Sequence, residues 1–496
     1  MESKLTKIPT YLLLVFFMMF GFINAQGHDL LYPLPTGLLT QSDGVLLVPE
    51  AERHWSFLIL GLWPNQGDYF MLPKISDAKN APKEQSTRLY DELFKLNFEF
   101  SHGAIIKNLP DYTHLYVALP EKLSAKGSKG GEKELFIAYL KGRCGWTDEK
   151  VRNHLHFFKV PSFLQWAQDS SEIIGRDKKG RIIIAADPDN YNNSYAIIKS
   201  LCDTYPESFV IKRLGNAISS EGGDMELVWA PKREGLIFMT GRNRVNQYYN
   251  RIKHMPLKGI SFSSDMLDDF KRAYSQEFYG LRVEVVPQKM LENSDLATED
   301  LFHLDMSVAI LSKGKTVNAF VPTYNGGEVK KDAMTNTALD PKLVWTWQAE
   351  YDEISAQLSK LGYDVVRLPF SDHPVRCPVN IGKFINRDTL EPSVILGKYP
   401  FDHARNSETT PQQMIQDALN DMTYKCDAWK NTPSEPNFNS FLLSISSMWG
   451  VMDKVSAMPN PEFDTQADIF RKHGYKVVAV PVYAWGAGGL HCDLLY

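Results

Sequence analysis

The residues best able to do chemistry fall at four places along the chain. The last is Cys492, which follows Trp485-Gly486-Ala487-Gly488-Gly489-Leu490-His491. Three glycines in four positions let the backbone pass close to another group and take φ > 0 where needed. A thiol presented after such a turn, next to a histidine, can act as a nucleophile. The plain alternative is a small buried hydrophobe near the end of the sequence. The other three places are Asp169, Glu221 ahead of Gly222-Gly223, and His303-Leu304-Asp305. In a strand, residues two apart face the same way, so His303 and Asp305 are expected to point into one cavity, with Leu304 opposite. Carboxylates match the planar donor fork of a guanidinium. A cysteine beside such a bound cation has its thiolate favoured. A histidine there can protonate a leaving amine and then activate water. A zinc site from His303, Asp305, His491 and Cys492 is the competing reading, although the close-spaced Cys or His pairs of common structural sites are absent. Asp169 and Glu221, each taken alone, also read as ordinary turn acids.

The elements that must position these groups alternate along the chain. Strand-like runs cover Gly44 to Pro49, Trp55 to Leu62, Thr113 to Leu119, Arg152 to Val160, Arg181 to Ala185, Phe209 to Leu214, Glu226 to Trp229, Leu236 to Thr240, Leu301 to Leu311 and Tyr475 to Val482. Helical spacing covers Gln85 to Phe98 (Leu89, Leu93, Leu96), Tyr195 to Thr204 and Glu350 to Leu361. Lys122 to Glu134 and Asn431 to Asn439 read as loops. Interleaved strands and helices mean mixed α/β. One phrase repeats: Leu361-Gly362-Tyr363-Asp364-Val365-Val366-Arg367-Leu368-Pro369 echoes His473-Gly474-Tyr475-Lys476-Val477-Val478-Ala479-Val480-Pro481. Each copy follows a helix, and Phe209 to Leu214 is a looser third. Repeated units ending in loops suggest a closed arrangement in which the loops converge.

Composition is ordinary for a globular chain: 496 residues, 44% hydrophobic and 23% charged. Lys4 and Lys7, the 12-residue apolar run Tyr11 to Phe22, and Ala25 have the layout of a secretory signal cleaved before Gln26. An uncleaved anchor is the alternative, but a spanning helix needs about 20 apolar residues. Removing two lysines and one glutamate with residues 1–25 takes the formal charge from −5 to −6. A mildly acidic surface argues against a nucleic-acid partner. Export implies an oxidising compartment. Of five cysteines, Cys144, Cys202, Cys377 and Cys426 can then form two disulfides of unspecified pairing, leaving Cys492 as the odd thiol.

Together these motifs resemble the guanidino-group-modifying superfamily, the pentein or β/α-propeller enzymes, in the branch of agmatine deiminase and the Porphyromonas-type peptidylarginine deiminase. The family's terminal Gly-Gly-Gly-Gly-Ile-His-Cys is similar to Gly486 through Cys492. Its Trp-x-Arg-Asp is similar to Trp166-Ala167-Gln168-Asp169, with Gln168 in place of arginine. Its Glu-Gly-Gly and His-x-Asp match Glu221-Gly222-Gly223 and His303-Leu304-Asp305. Order and spacing agree from about Val48 to Tyr496. Gly241-Arg242-Asn243-Arg244-Val245-Asn246 resembles the family's Gly-x-Ser-x-Arg-Thr-Asn loosely.

The resemblance implies a fold and a set of roles. The fold is a pseudo-fivefold ring of ββαβ modules, forming one catalytic domain over residues 26–496 with an insertion around 370–470. Cys492 attacks the guanidinium carbon. Asp169 and Asp305 clamp the guanidinium nitrogens, Glu221 helps hold substrate and histidine, and His303 is general acid and then general base. Arg244 is expected to meet a substrate carboxylate through a bidentate, always-charged contact; the alternative is a surface ion pair worth at most about 1 kcal/mol. No metal or organic cofactor is implied. The expected activity is a secreted or periplasmic deiminase releasing ammonia from peptidyl arginine, arginine, agmatine or another guanidine. The mature form is expected to need no membrane. An amidinotransferase and a non-catalytic arginine-binding protein are the alternatives.

Overall fold

The computed structural model describes residues 44–61, 72–73, 81–120, 131–161, 171–188, 194–215, 218–220, 222–253, 262–288, 303–324, 340–371, 377–398 and 411–482. Residues 1–25, most of the Lys122–Glu134 loop, Asp169, Glu221, His491 and Cys492 lie outside them.

The first sheet is built by β2, β3 and β4. After β1 (Leu46–Leu47) and a 3-10 turn at Glu50–Glu52, β2 (Phe57–Gly61) precedes α1 (Lys83–Phe98). The expected stripe Leu89, Leu93 and Leu96 is buried in the core. A π-turn, Glu99–Gly103, leads into α2 (Ala104–Lys107). Then come β3 (His114–Pro120), α3 (Glu132–Arg143), α4 (Asp148–His154) and β4 (Leu155–Val160). The three strands are parallel, with β3 in the middle. The strand expected from Arg152 starts three residues late, because Thr147 caps α4 by accepting from Lys150 N and holds 148–154 helical.

Four further sheets share one wiring: an antiparallel hairpin, a helical crossover, then a third strand parallel to the second. The first has β5 (Glu172–Arg176), β6 (Ile182–Ala186), α5 (Ser194–Thr204) and β7 (Phe209–Arg213), with β1 added at its edge. The second has β8 (Met225–Trp229), β9 (Leu236–Thr240), α6 (Arg242–Lys253), α7 (Ser264–Glu277) and β10 (Arg282–Val285). The third has β11 (Ala309–Lys313), β12 (Thr316–Tyr324), α8 (Pro341–Leu361) and β13 (Asp364–Phe370). The fourth has β14 (Gly382–Ile385), β15 (Pro392–Lys398), α9 (Pro411–Asn431), α10 (Glu435–Ala457), α11 (Pro461–Lys472) and β16 (Lys476–Pro481). Strands such as Ile182-Ile183-Ile184-Ala185-Ala186 are buried throughout, as a strand covered on both faces must be.

The repeated phrase is a repeated piece of structure. Gly362 and Gly474 end α8 and α11 at φ 98° and 86°, a conformation open to glycine at little cost. The tyrosines that follow are buried: Tyr363 Oη donates to Trp229 O, and Tyr475 Oη accepts from Asn318 Nδ2. Each phrase then becomes the third strand of its sheet.

Two expectations are corrected. Asn431 to Asn439 is mostly helix: Ser434 caps α10 and Pro436 sits in its first turn, where its missing N–H costs nothing. Cys144, Cys202, Cys377 and Cys426 are free thiols, not two disulfides. Cys202 and Cys377 sit in separate cores, and Cys144 and Cys426, both against a third, are unpaired. The span expected as an insertion holds the hairpin β14–β15 and the helices α9 to α11 of the fourth crossover, of which α10 packs against α1 and α11 against β13 and β16.

Candidate active site

The wiring decides where side chains can meet. In each ββαβ sheet, the start of the first strand and the ends of the second and third fall at one end of the sheet. Asp224 precedes β8, Gly241 follows β9, Val286 follows β10, His303 and Asp305 precede β11, and Asn380 precedes β14. Asp224, His303, Asp305 and Asn380 of the site come from this set.

Asp224 ends a buried 3-10 turn, Gly222–Asp224. Its Oδ2 accepts from Arg244 Nε at 2.9 Å, and its Oδ1 from Leu304 N at 3.1 Å. One carboxylate thus ties α6 to the backbone beside His303. Gly241 makes this possible: a Cβ there would stand 1.7 Å from Asp224 Oδ1. Arg244 is 1% exposed, and its Nη1 also donates to Ser219 Oγ at 3.2 Å and Gln247 Oε1 at 3.1 Å. Three bonds of the arginine expected to meet a substrate therefore go to protein groups.

His303 and Asp305 are buried side by side, with Nδ1 and Oδ1 3.9 Å apart. They do not lie on a strand as expected. His303 caps a 3-10 turn, Leu304–Met306, and β11 begins only at Ala309. Ser307 N to Leu304 O at 2.8 Å closes that turn, and Asp224 takes the Leu304 N–H. His303 keeps extended backbone angles, φ −114° and ψ 148°, as a half-in capping residue does. Asp305 Oδ2 accepts from Asn380 Nδ2 at 2.9 Å, a contact from the neighbouring sheet.

Beside His303 is a small pocket lined by Asp224, Gly241–Asn243, Val286, Pro287, Leu304, Ser307 and Glu350 of α8. Burial pushes the Glu350 carboxyl up to about 7, against the downward pull of the Arg242 charge. Among the described residues no set of three or more His, Cys, Asp or Glu is arranged to hold a metal ion.

Of the residues expected from sequence, the structure brings His303 and Asp305 together and places Arg244 one carboxylate away; Asp169, Glu221 and Cys492 lie outside the described residues. Sequence reading missed Asp224, Asn380 and Glu350. Asp224 carried a signal, since it directly follows the glycine pair, and Gly241 opens the loosely matching arginine stretch. Asn380 and Glu350 carried none.

No family model matches the chain, and no curated protein sequence matches it significantly. Among solved structures, it is similar to SxtG, an amidinotransferase of the saxitoxin biosynthetic pathway from Microseira wollei, at 10% identity over 90% of this chain and 96% of that one, TM-score 0.35. It is also similar to the N-terminal domain of ArgZ, an arginine dihydrolase from the ornithine-ammonia cycle in cyanobacteria, at 9% identity over 77% of this chain and 96% of that one, TM-score 0.31. Likeness at this level carries no inference about shared activity.

Proposed function

We propose that the chain is a cysteine-dependent enzyme acting on a guanidino group, with deimination as its reaction. The observation that supports it best is the buried His303–Asp305 pair, fixed through Asp224 on one side and Asn380 on the other. A carboxylate held in one orientation suits a planar donor fork. An imidazole beside it is placed for proton transfer.

In this reading the Cys492 thiolate attacks the guanidinium carbon. His303 protonates the departing nitrogen, and ammonia leaves an amidino-thioether on the sulfur. His303 then takes a proton from water, whose oxygen adds to the same carbon. The thiolate departs and the ureido product remains. Asp305 and Asp169 hold the guanidinium nitrogens, and Glu221 holds substrate and histidine. Asp169 and Glu221 precede β5 and β8, as His303 and Asp305 precede β11, and Cys492 follows the third strand β16. That regularity, with four hairpin-crossover sheets, supports a closed ring of five modules. We further propose export after cleavage near Ala25; no helix of the described residues is long and apolar enough to cross a membrane.

The test is ammonia release by the protein from free arginine, agmatine and peptidyl arginine in water. Ammonia with a ureido product, and no added amine, supports deimination. Turnover only with an amine acceptor makes the chain an amidinotransferase. Binding of arginine without turnover makes it a binding protein.

A further inference from the structure

Glu350 stands out among the buried polar groups near the site. It is 2% exposed, and its Oε1 has no hydrogen-bond partner among the described residues. A buried carboxyl left in this way costs free energy unless something else meets it. The carboxyl lines the pocket that His303 lines from the other element, together with Asn243 and Ser307. The pocket has a volume of about 20 Å³, room for one water, which needs about 10–15 Å³ and two or more polar partners.

We propose that Glu350 and His303 share one proton through a water molecule in this pocket, which makes Glu350 a positioning residue for the proton on His303. The transfer balances. Glu350 gives a proton to the water, the water gives one of its own to the imidazole, and carboxylate with imidazolium replaces acid with neutral ring. The reverse step restores the start. The charged groups around the carboxyl are Arg242 on α6, Asp224 before β8 and His303 before β11, with the Tyr351 phenol adjacent on α8. Asp224 accepts from Arg244 and Leu304 N, and Asp305, 3.9 Å from His303 Nδ1 and bonded to Asn380, does not line the pocket, so a water held there would meet Glu350 and His303. Burial holds the Glu350 carboxyl near about 7, so the exchange falls within the neutral range. The inference rests on the acid/base role proposed for His303 only for its use in turnover; the shared proton itself stands apart from any reaction.

The experiment is an NMR titration of the full chain with labelled histidine rings and glutamate carboxyls. Expected in the wild type is a common midpoint for the Glu350 carboxyl and a step in the His303 ring signal. In Glu350→Gln that step vanishes, and the remaining His303 midpoint moves down by about one unit or more, as loss of a nearby carboxylate requires. Glu350→Asp keeps the step at a displaced midpoint and serves if the glutamine variant does not fold. A His303 titration indifferent to Glu350 in the wild type, or unchanged in either variant, overturns the proposal. Ammonia release measured on the same samples separates the two claims. Coupled titration without release rejects deimination and keeps the shared proton, whereas release without coupling does the reverse.

Discussion

Arg244 and Asp224 meet inside the protein, Nε to Oδ2 at 2.9 Å, with side chains 2% and 1% exposed. The other oxygen of Asp224 holds the backbone next to His303. The arginine therefore reaches the site through a carboxylate, and its loss should act on the site as a whole. Arg244→Ala is expected to cost about 3–5 kcal/mol of stability, the range for breaking a buried pair on one side. It should reduce turnover of arginine and agmatine by the same factor. Urea unfolding and kinetics on both substrates check this; a loss confined to arginine would restore Arg244 as a carboxylate contact.

Asn380 orients Asp305 from a neighbouring sheet. Asn380→Ala removes one hydrogen bond to a carboxylate, worth about 1.5–3 kcal/mol. The expected result is a fall in kcat/KM of roughly tenfold or more, together with a lowered unfolding midpoint. Full activity in this variant would mean that Asp305 needs no such support.

Lys383 on β14 is buried between Glu226 of β8, at 2.6 Å, and Glu50, at 3.3 Å. Burial pulls its ammonium down, but the two carboxylates outweigh this and raise it. The neighbouring Arg53 pairs with Glu172 of β5 at 2.9 Å, and Glu52 accepts from Ser312 of β11 at 3.0 Å. The Glu50–Arg53 segment thus touches the first strand of all four hairpins. Lys383→Met leaves two buried carboxylates facing each other and should destabilise by about 3–5 kcal/mol. A denaturation midpoint equal to wild type would show that the segment is not a tie.

His114 and His156 sit on adjacent strands, Nδ1 to Nε2 at 2.9 Å, with their rings stacked on each other and the His114 ring also stacked on His154. Burial first, then repulsion from neighbouring charges, lowers them to about 3 and about 4. The unfolded chain then binds more protons below the ordinary value of 6.5, so stability is full above it and falls with pH toward those values. Between about pH 8 and about pH 5 the loss should be roughly 1–2 kcal/mol after allowance for solvent screening. Urea melts of wild type and of the double variant His114→Phe, His156→Phe should differ in this slope; parallel slopes would remove the cluster from the acid response.

Much of the architecture was legible because two signals repeat. The Gly-Tyr phrase needs glycine at φ > 0 and a buried tyrosine, so its two copies mark two third strands. Apolar runs such as Ile182 to Ala186 marked central strands. His303 and Asp305 were legible as a pair but not as a turn, since two-residue spacing reads as a strand when the turn's partner, Asp224, is 80 residues away. Gly382 to Ile385 gave little sign of a hairpin strand: it is four residues long and carries Lys383, whose burial depends on Glu50 and Glu226. Asn380 was silent for the same reason, its meaning being a contact across 75 residues.

The most direct measurement of the central claim is acid-quenched mass spectrometry of the protein turning over a guanidino substrate, with Cys492→Ala alongside. The proposed chemistry predicts an amidino adduct on Cys492 in the wild type. It also predicts no ammonia from Cys492→Ala, while alanine at Cys144, Cys202, Cys377 or Cys426 leaves the adduct in place. Ammonia release by Cys492→Ala at the wild-type rate, or an adduct on another residue, would contradict it.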